Sequence, residues 1–273
     1  MTSLPADPDI EIERLAAVVA ARREAIVQQV EERGFITVAA LVKHFDVTPQ
    51  TIRRDVNALD AEGRVSRFHG GAGPASSSQN VGYRLRKVLH LDEKRRIAQE
   101  VAARIPAGAS LFINIGTTNE EIARALVKHS GLRVVTNNLH VASILLGAVD
   151  CEVTIAGGLV RNSDGGIVGE ATIDLMNQFK VDYGIIGISG IDIDGALLDY
   201  DYREVRVAQT IMRNARRVIL AADHSKFSRP AMVRLSSIAE VSAFFTDRSP
   251  PAPIQKLLSD SGVELCLPKD ARR

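Results

Sequence analysis

A segment near the N-terminus carries side chains that could read DNA. Thr48 and Pro49 predict the start of a helix, because threonine caps a helix N-terminus and proline fits its first turn. If the apolar residues of 49–60 face inward, the exposed side carries polar side chains that can bond base edges and phosphates. These candidates are Gln50, Thr51, Arg53, Arg54 and Asn57. Taken alone, an ordinary amphipathic helix with a solvated face explains the same pattern.

The flanking segments favour DNA binding. Thr37 is a plausible N-cap for a short helix before this one, and residues 46–48 form a tight turn between the two. After it, residues 64–69 alternate charged and apolar side chains before a Gly-Gly turn, which predicts a wing strand carrying Arg67 and His69. Two short helices, a tight turn and a basic wing are typical of a winged helix-turn-helix. Thr37, Thr48, Arg67 and His69 therefore join the candidate DNA contacts.

A second group of polar residues follows predicted strands in the rest of the chain. Asn114 lies near the end of a buried strand, and Gly116, Thr117 and Thr118 then lead into a helix. Free N–H groups, hydroxyls and the helix dipole make this an anion cradle, although Thr117 and Thr118 could also serve as helix caps. Ligands bind beyond the carboxyl ends of strands in open α/β sheets. Other strand ends offer Thr136, Asn137, Asn138, Gly157, Gly158, Asp223 and Lys226, which together suit a small phosphorylated polyol or sugar.

The larger C-terminal part alternates strand and helix patterns, which predicts an α/β fold with a mostly parallel sheet. The predicted strands are 110–115, 133–136, 151–156, 183–188, 217–221 and 242–246. The predicted helices are 120–128, 139–146, 173–179 and 203–214.

Composition and charge divide the 273 residues. A Gly-, Pro- and Ser-rich break spans residues 70–82, and residues 22–96 hold 14 Lys+Arg against 9 Asp+Glu although the chain carries only +1 overall. We predict an N-terminal extension at 1–21 and a winged helix-turn-helix at 22–75. A linker follows at 76–96, and an effector-binding and oligomerisation domain at 97–265.

Several classes of protein are disfavoured. The two cysteines cannot build a disulfide scaffold or a four-thiolate zinc site, and 4% aromatic residues without tryptophan make a single-strand stacking platform implausible. The acidic N-terminus does not resemble a signal peptide and no apolar run could span a bilayer, so we expect a cytoplasmic protein with no membrane partner. No GxGxxG or Walker A motif occurs, and we expect no cofactor and no metal.

The motifs resemble a known family. TPQTIRRDVNALDAEGRVSRFHGGA at 48–72 is similar to the signature of the DeoR family of bacterial transcriptional repressors. LFINIGTTNEEIARAL, VVTNNLHVAS, IAGGLVRNSDGGIVGEATID, DYGIIGISGID and AADHSKF in the second part agree with it. The resemblance implies a winged helix-turn-helix joined to a sugar-phosphate-sensing domain related in fold to ribose-5-phosphate isomerase and CoA transferases.

The resemblance also implies a function. The family members that the chain resembles most regulate glycerol metabolism, which implies a homodimer or homotetramer that represses at operator DNA and is released by glycerol 3-phosphate. The family usually has Asp where this chain has Asn114, so one contact to a ligand hydroxyl is expected to differ. The effector contacts implied by the resemblance are Gly116, Thr117, Thr118, Thr136, Asn137, Asn138 and Lys226.

Three alternatives stay open. An isomerase or transferase of the same fold would need an acid/base beside the phosphate, and Glu170, Asp223 and His224 are available. However, Asp223 and His224 are adjacent to Ser225 and cannot stack as a triad, and the DNA-reading segment favours a sensor over an enzyme. The chain could also regulate another sugar-phosphate pathway, or act as an activator.

Overall fold

The computed structural model describes residues 8–33, 35–62, 64–68, 70–74, 80 and 82–268. The chain divides into two compact units, with the boundary between Gly82 and Tyr83. Each unit has its own hydrophobic core, as expected of an independent domain.

The first unit contains three helices and a small sheet. Its elements are α1 Pro8–Arg33, β1 Ile36–Thr37, α2 Val38–Phe45, α3 Pro49–Ala61, β2 Val65–Phe68 and β3 Gly71–Pro74. Helix α1 begins at Pro8, so most of the predicted extension at 1–21 continues the helix expected only from residue 22. The physical reason is that residues 9–21 contain neither Gly nor Pro and are rich in the helix formers Ala and Glu.

One buried cluster holds the three helices together. Ile26 of α1, Leu41 of α2, and Ile52 and Leu59 of α3 are fully buried in it. Beside them the carboxylate of Asp55, 2% exposed, accepts hydrogen bonds from Arg22 (2.6 Å) and Arg23 (3.1 Å) of α1. Apolar packing and this buried ionic contact together fix α3 against α1.

The wing is a three-stranded antiparallel sheet in the order β1-β3-β2. Residues Arg67 and Ala72 are register partners across its hairpin. Gly71 is required where β3 crosses β1, because a Cβ there would lie 2.2 Å from the carbonyl oxygen of Ile36. The predicted winged helix-turn-helix is therefore confirmed over the described residues.

The second unit is built on a seven-stranded sheet. Its helices are α4 Tyr83–Val88, α5 Leu91–Ala102, α6 Thr117–Leu126, α7 Leu139–Leu145, α8 Glu170–Met176, α9 Tyr202–Asn214 and α10 Ala252–Asp260. Its strands are β4 Ser110–Ile113, β5 Leu132–Thr136, β6 Cys151–Ile155, β7 Leu159–Val160, β8 Ile167–Val168, β9 Val181–Ile186, β10 Gly190–Ile191, β11 Ala196–Asp199, β12 Ala215–Ala221, β13 Val233–Ser237, β14 Ala243–Phe245 and β15 Glu264–Cys266.

The large sheet is parallel throughout, in the order β15-β14-β12-β9-β4-β5-β6. Alternate residues of the central strand β4 enter different cores: Phe112 packs on one face, and Leu111 and Ile113 pack on the other. Helices α5, α6 and α7 contribute to the second core, and α8, α9 and α10 to the first. The predicted α/β class with a parallel sheet is confirmed as a three-layer arrangement.

Most of the predicted strands and helices have at least one boundary that differs from the structure, by up to three residues. Strand β4 ends at Ile113 and not at residue 115. Residues 83–96 of the predicted linker form α4 and the first half of α5, because Ile97 and Val101 give α5 an apolar face that packs on the sheet. Over the part of the chain that the structure describes, no helix is both long and apolar enough to span a membrane.

Candidate functional site

The exposed face of α3 carries the predicted DNA contacts. Ile52, Val56 and Leu59 are buried, and this orientation leaves the side chains on the opposite face toward solvent. Thr48 caps the helix by accepting the N–H of Thr51 at 3.2 Å. Gln50, Arg53, Arg54 and Asn57 are exposed, and Thr51 is half-buried.

The wing places a further arginine beside this face. Arg53 and Asn57 of α3 and Arg67 of β2 line one shallow cleft of the first unit, so their side chains can contact the same stretch of a ligand. The N–H of Arg67 donates to Asp60 Oδ1 at 2.8 Å, which ties the wing to α3. Thr37 caps α2 by accepting the N–H of Ala40 at 3.0 Å. His69 lies outside the described residues.

A small pocket of about 30 Å³ lies in the second unit. Gly116, Thr117 and Thr118 form one wall, where β4 leads into α6. Gly116 has φ +143°, a conformation that favours glycine, and it lets α6 begin immediately at Thr117. The N–H groups of the first turn of α6 and the two nearly buried threonines provide the predicted anion cradle.

Two cations line the same pocket, Lys226 and Arg86. Lys226 ends a short 3-10 helix that follows β12, and Asp223 caps this helix by accepting the N–H of Ser225 at 3.0 Å. Burial and the nearby charge of Arg229 lower the pKa of Lys226 to about 7. An anion beside this amine would favour its charged form, so this side of the pocket suits a negatively charged ligand.

Two carboxyl groups also line the pocket, Asp199 at the end of β11 and Glu204 in the first turn of α9. Glu204 accepts a hydrogen bond within an ion pair from Arg161, 2.8 Å away. Burial and the neighbouring charge of Asp199 raise the pKa of Glu204 to about 8, and burial likewise raises the pKa of Asp199. The charge of Arg86, which also lines the pocket, acts to lower the pKa of Lys226 and the pKa of both carboxyl groups.

Helix α4, within the predicted linker, forms part of the pocket. Arg86 lies 3.4 Å from Asp164, and the hydroxyl of Tyr83 donates to Glu120 in the first turn of α6 at 2.9 Å. Lys94 of α5 donates to the carbonyl oxygens of α4 and the turn after it. Arg86, Asp199 and Glu204 were not among the predicted site residues. The basic residues within 84–87 are the signal in the sequence that could have indicated Arg86.

The other predicted effector contacts are not part of this pocket lining. Thr136 donates to the carbonyl of Ile113 at 2.6 Å, and Asn138 Oδ1 caps α7 by accepting the N–H of His140 at 2.9 Å. Asn137 donates to a carbonyl of β8, and the carbonyl of Gly157 accepts the hydroxyl of Thr172. These residues, with Gly158, thus have bonds or close packing that shape the carboxyl edge of the sheet.

This edge nevertheless retains unused polar atoms. Among the residues that the structure describes, the buried side-chain atoms without a hydrogen-bond partner include Asn114 Oδ1, Asn137 Oδ1, Asn138 Nδ2 and Asp223 Oδ2. Buried polar atoms are nearly always bonded to protein or water, so an accumulation of such atoms marks a polar binding region. Asn114 and Asp223 remain predicted contacts on this basis.

One group of described side chains could approach a metal ion. Donor atoms of His90, Asp223 and His224 all lie within 4.8 Å of one another. The charges of Lys226 and Lys94 act on Asp223, and both would repel a cation at this place. The cluster is therefore better suited to positioning Lys226 than to holding a metal.

Two of the candidate acid/base residues for an enzyme, His224 and Glu170, pair with other side chains outside the pocket. His224 Nδ1 lies 2.8 Å from Asp247 Oδ2, and exposed Glu170 pairs with Arg206 at 2.7 Å. Neither His224 nor Glu170 is among the residues that line the pocket. A general acid or base must lie within hydrogen-bond reach of its substrate, so His224 and Glu170 are not placed for this role in the pocket.

Comparisons with known proteins agree with both units. Residues 22–78 match the DeoR-like helix-turn-helix domain, and residues 89–248 match the DeoR C-terminal sensor domain. A solved ribose 5-phosphate isomerase A from Neisseria gonorrhoeae matches 49% of this chain and 52% of its own, with 14% identity and a TM-score of 0.36. That likeness is too distant to bear on function.

Curated relatives match most of the chain. The glycerol-3-phosphate regulon repressor of Escherichia coli is 50% identical over 244 residues, covering 89% of this chain and 97% of that protein. The repressor of the same name from Haemophilus influenzae is 48% identical, covering 86% and 92%. The HTH-type transcriptional repressor CsqR of Escherichia coli is 41% identical, covering 91% and 95%. The chain belongs to the DeoR family of DNA-binding transcriptional regulators.

Proposed function

We propose that this chain represses transcription at operator DNA and is released by glycerol 3-phosphate bound in the pocket of the second unit. The pocket has a volume of about 30 Å³, so it must widen to admit this effector. The exposed face of α3, with Arg53, Arg54 and Asn57, reads the operator together with Arg67 of the wing. The identity of about 50% to two glycerol-3-phosphate regulon repressors supports this effector over other sugar phosphates.

The observation that carries the proposal is the convergence of an anion cradle with two cations. Thr117 and Thr118 at the start of α6, Lys226 after β12 and Arg86 of α4 come from distant parts of the sequence and line one pocket. N–H groups, hydroxyls and charged donors from several sides are the arrangement that binds a phosphate tightly.

Helix α4 offers a route from effector to DNA. It begins at Tyr83, the first residue after the boundary between the units, and its Arg86 lines the pocket. A phosphate that attracts Arg86 competes with Asp164 for this side chain and so changes how α4 is held. If the effector binds one position of α4 more tightly than another by about 1–3 kcal/mol, this difference would suffice to release the chain from the operator.

The test is operator binding, followed by fluorescence anisotropy, while glycerol 3-phosphate is added. The wild-type chain should release operator, and Thr117→Val should need about tenfold to a hundredfold more effector, because a hydrogen bond to a charged group is lost. Lys226→Met should act similarly, and Lys256→Met, which changes an exposed lysine paired with Asp260, should not.

All three variants should bind operator normally without effector. Release by other sugar phosphates but not by glycerol 3-phosphate would contradict the choice of effector. Conversion of a sugar phosphate by the wild-type chain, with operator occupancy unchanged, would favour the isomerase or transferase alternative.

A further inference from the structure

The pocket contains two carboxyl groups that a phosphate does not need. Asp199 is 7% exposed, and the side chain of Glu204 is 15% exposed. The negative charge of Asp199 would repel a phosphate, which therefore binds on the side of Thr117, Thr118 and Lys226. The acidic side of the pocket is then left to the rest of the effector.

The buried region around Arg161 holds more carboxyl groups than guanidinium groups. Arg161 contacts Asp164 at 2.6 Å, Asp201 at 3.1 Å and Glu204 at 2.8 Å. Arg86 also pairs with Asp164 and Arg203 with Asp201, so three guanidinium groups face these three carboxyl groups. Asp199 adds a fourth acidic group to the same buried region. Burying carboxylates without full neutralisation costs stability, which argues that Asp199 and Glu204 serve something other than folding.

Their hydrogen bonds hold them in place without using all of their acceptors. Asp199 Oδ1 accepts the N–H of Tyr200 at 2.7 Å, and Ser189, which also lines the pocket, donates to the same carboxyl group. Arg161 holds Glu204 from one side. A carboxylate has about four acceptor positions, so each group can still accept a hydroxyl.

We propose that Asp199 and Glu204 form a second subsite that accepts the hydroxyl groups of the effector and excludes effectors with a second anionic group. This inference rests on the proposed function. Hydroxyls donate to the oxygens of both carboxyl groups. Near pH 7 Glu204 is mostly protonated, and Asp199 carries the negative charge that helps to raise the pKa of Glu204 to about 8. A second phosphate or carboxylate would therefore meet a like charge in a buried site, where repulsion is strong. The subsite therefore selects a phosphate monoester whose remaining carbons carry hydroxyls.

Three probes separate the two parts of the pocket: glycerol 3-phosphate, n-propyl phosphate and 3-phosphoglycerate. They share a phosphate ester on three carbons and differ in having two hydroxyls, no hydroxyl, or a carboxylate in place of one terminal CH2OH group. By calorimetry at pH 7.5, the wild-type chain should bind glycerol 3-phosphate at least tenfold more tightly than either of the others, the loss expected for a hydrogen bond to a charged group.

The variants are Asp199→Asn and Glu204→Gln, which keep the shape of the side chain and replace the carboxyl group with an amide. Each variant should bind glycerol 3-phosphate about tenfold more weakly and bind n-propyl phosphate with an affinity within about twofold of the wild-type value. The ratio of the affinities for glycerol 3-phosphate and 3-phosphoglycerate should become smaller. Asp201→Asn is the matched control, because it removes a carboxylate that pairs with Arg161 but does not line the pocket. Asparagine also caps helices well, so α9 should keep its N-cap. It should change none of the three affinities by more than about twofold.

Equal affinity of the wild-type chain for all three probes would overturn the subsite and leave the proposed function standing. Equal weakening of all three probes in both variants would show a structural role only, which also overturns it. If the wild-type chain binds none of the probes, the proposed function fails, and the subsite fails with it.

Discussion

Lys226 is the residue whose charge should depend most directly on the effector. Burial lowers the pKa of its amine to about 7 in the protein without ligand, so near pH 8 the amine is mostly neutral. A phosphate dianion beside the amine raises this pKa again, because an opposite charge favours the charged form. Binding and protonation are therefore linked at this residue.

We expect glycerol 3-phosphate to bind at pH 8 with uptake of a proton. The sign follows from the shift: the amine is mostly neutral before binding and charged after it, so affinity should fall as pH rises above about 7. Calorimetry in two buffers of different ionisation enthalpy measures the uptake, and Lys226→Met should lose most of it. A wild-type chain that takes up no proton would contradict the assigned contact.

At the scale of elements, the junction of α1 with α3 determines how the recognition helix is presented. Asp55 is buried between Arg22 and Arg23, whose side chains are 12% and 26% exposed. Removal of the carboxylate leaves two guanidinium groups without their partner, although both can still reach water. The cost should therefore lie below that of breaking a fully buried pair.

Asp55→Ala should lower the free energy of unfolding of the first unit by about 1–3 kcal/mol. Urea unfolding followed by circular dichroism measures the loss, and operator affinity should fall with it. Glu62→Gln is the control, since Glu62 is exposed and lies 3.7 Å from Arg23. A loss as large for Glu62→Gln as for Asp55→Ala would show that burial of the carboxylate is not what matters.

The elements that the sequence predicted well are those with local signals. Thr37, Thr48 and Pro49 mark the beginnings of α2 and α3, and both threonines cap as predicted. Helix α4 has six residues and none of them is buried, so the sequence contains no periodic apolar pattern that predicts this helix. Its position depends on contacts with distant residues such as Glu120 and Asp164, which sequence spacing does not contain.

The difference between local and long-range signals also explains which pocket residues could be predicted. Gly116, Thr117 and Thr118 follow a strand and open a helix, a pattern that can be read locally, and they do line the pocket. Thr136 and Asn138 follow a strand in the same way, but their side chains bond to backbone atoms. Strand ends attract polar residues both for ligands and for caps, and only the fold separates the two uses.

At the scale of the whole molecule, each chain carries one recognition helix of 13 residues within the DNA-binding unit. Such a helix contacts only a few base pairs, too few to single out one site in a genome. We expect two chains related by a two-fold axis to read a palindrome, with half-sites one helical turn or a multiple of it apart. The predicted homodimer or homotetramer would satisfy this requirement.

The corresponding test uses Arg53→Ala/Arg54→Ala, which removes two exposed cations from α3. The double variant should lose specific operator binding and keep its affinity for glycerol 3-phosphate, because the effector pocket lies in the other unit. Its remaining DNA affinity should depend less on salt, by about 0.9 in the logarithmic slope for each lost phosphate contact.

Mixing the double variant with wild-type chain tests the symmetry itself. If two recognition helices are needed, a mixed oligomer holds only one half-site, so operator affinity should fall further than dilution of the wild-type chain explains. The footprint of the wild-type chain should protect both halves of the palindrome equally. A footprint over one asymmetric half-site, together with a monomer by light scattering, would contradict the two-fold arrangement and require a single recognition helix to supply all of the specificity.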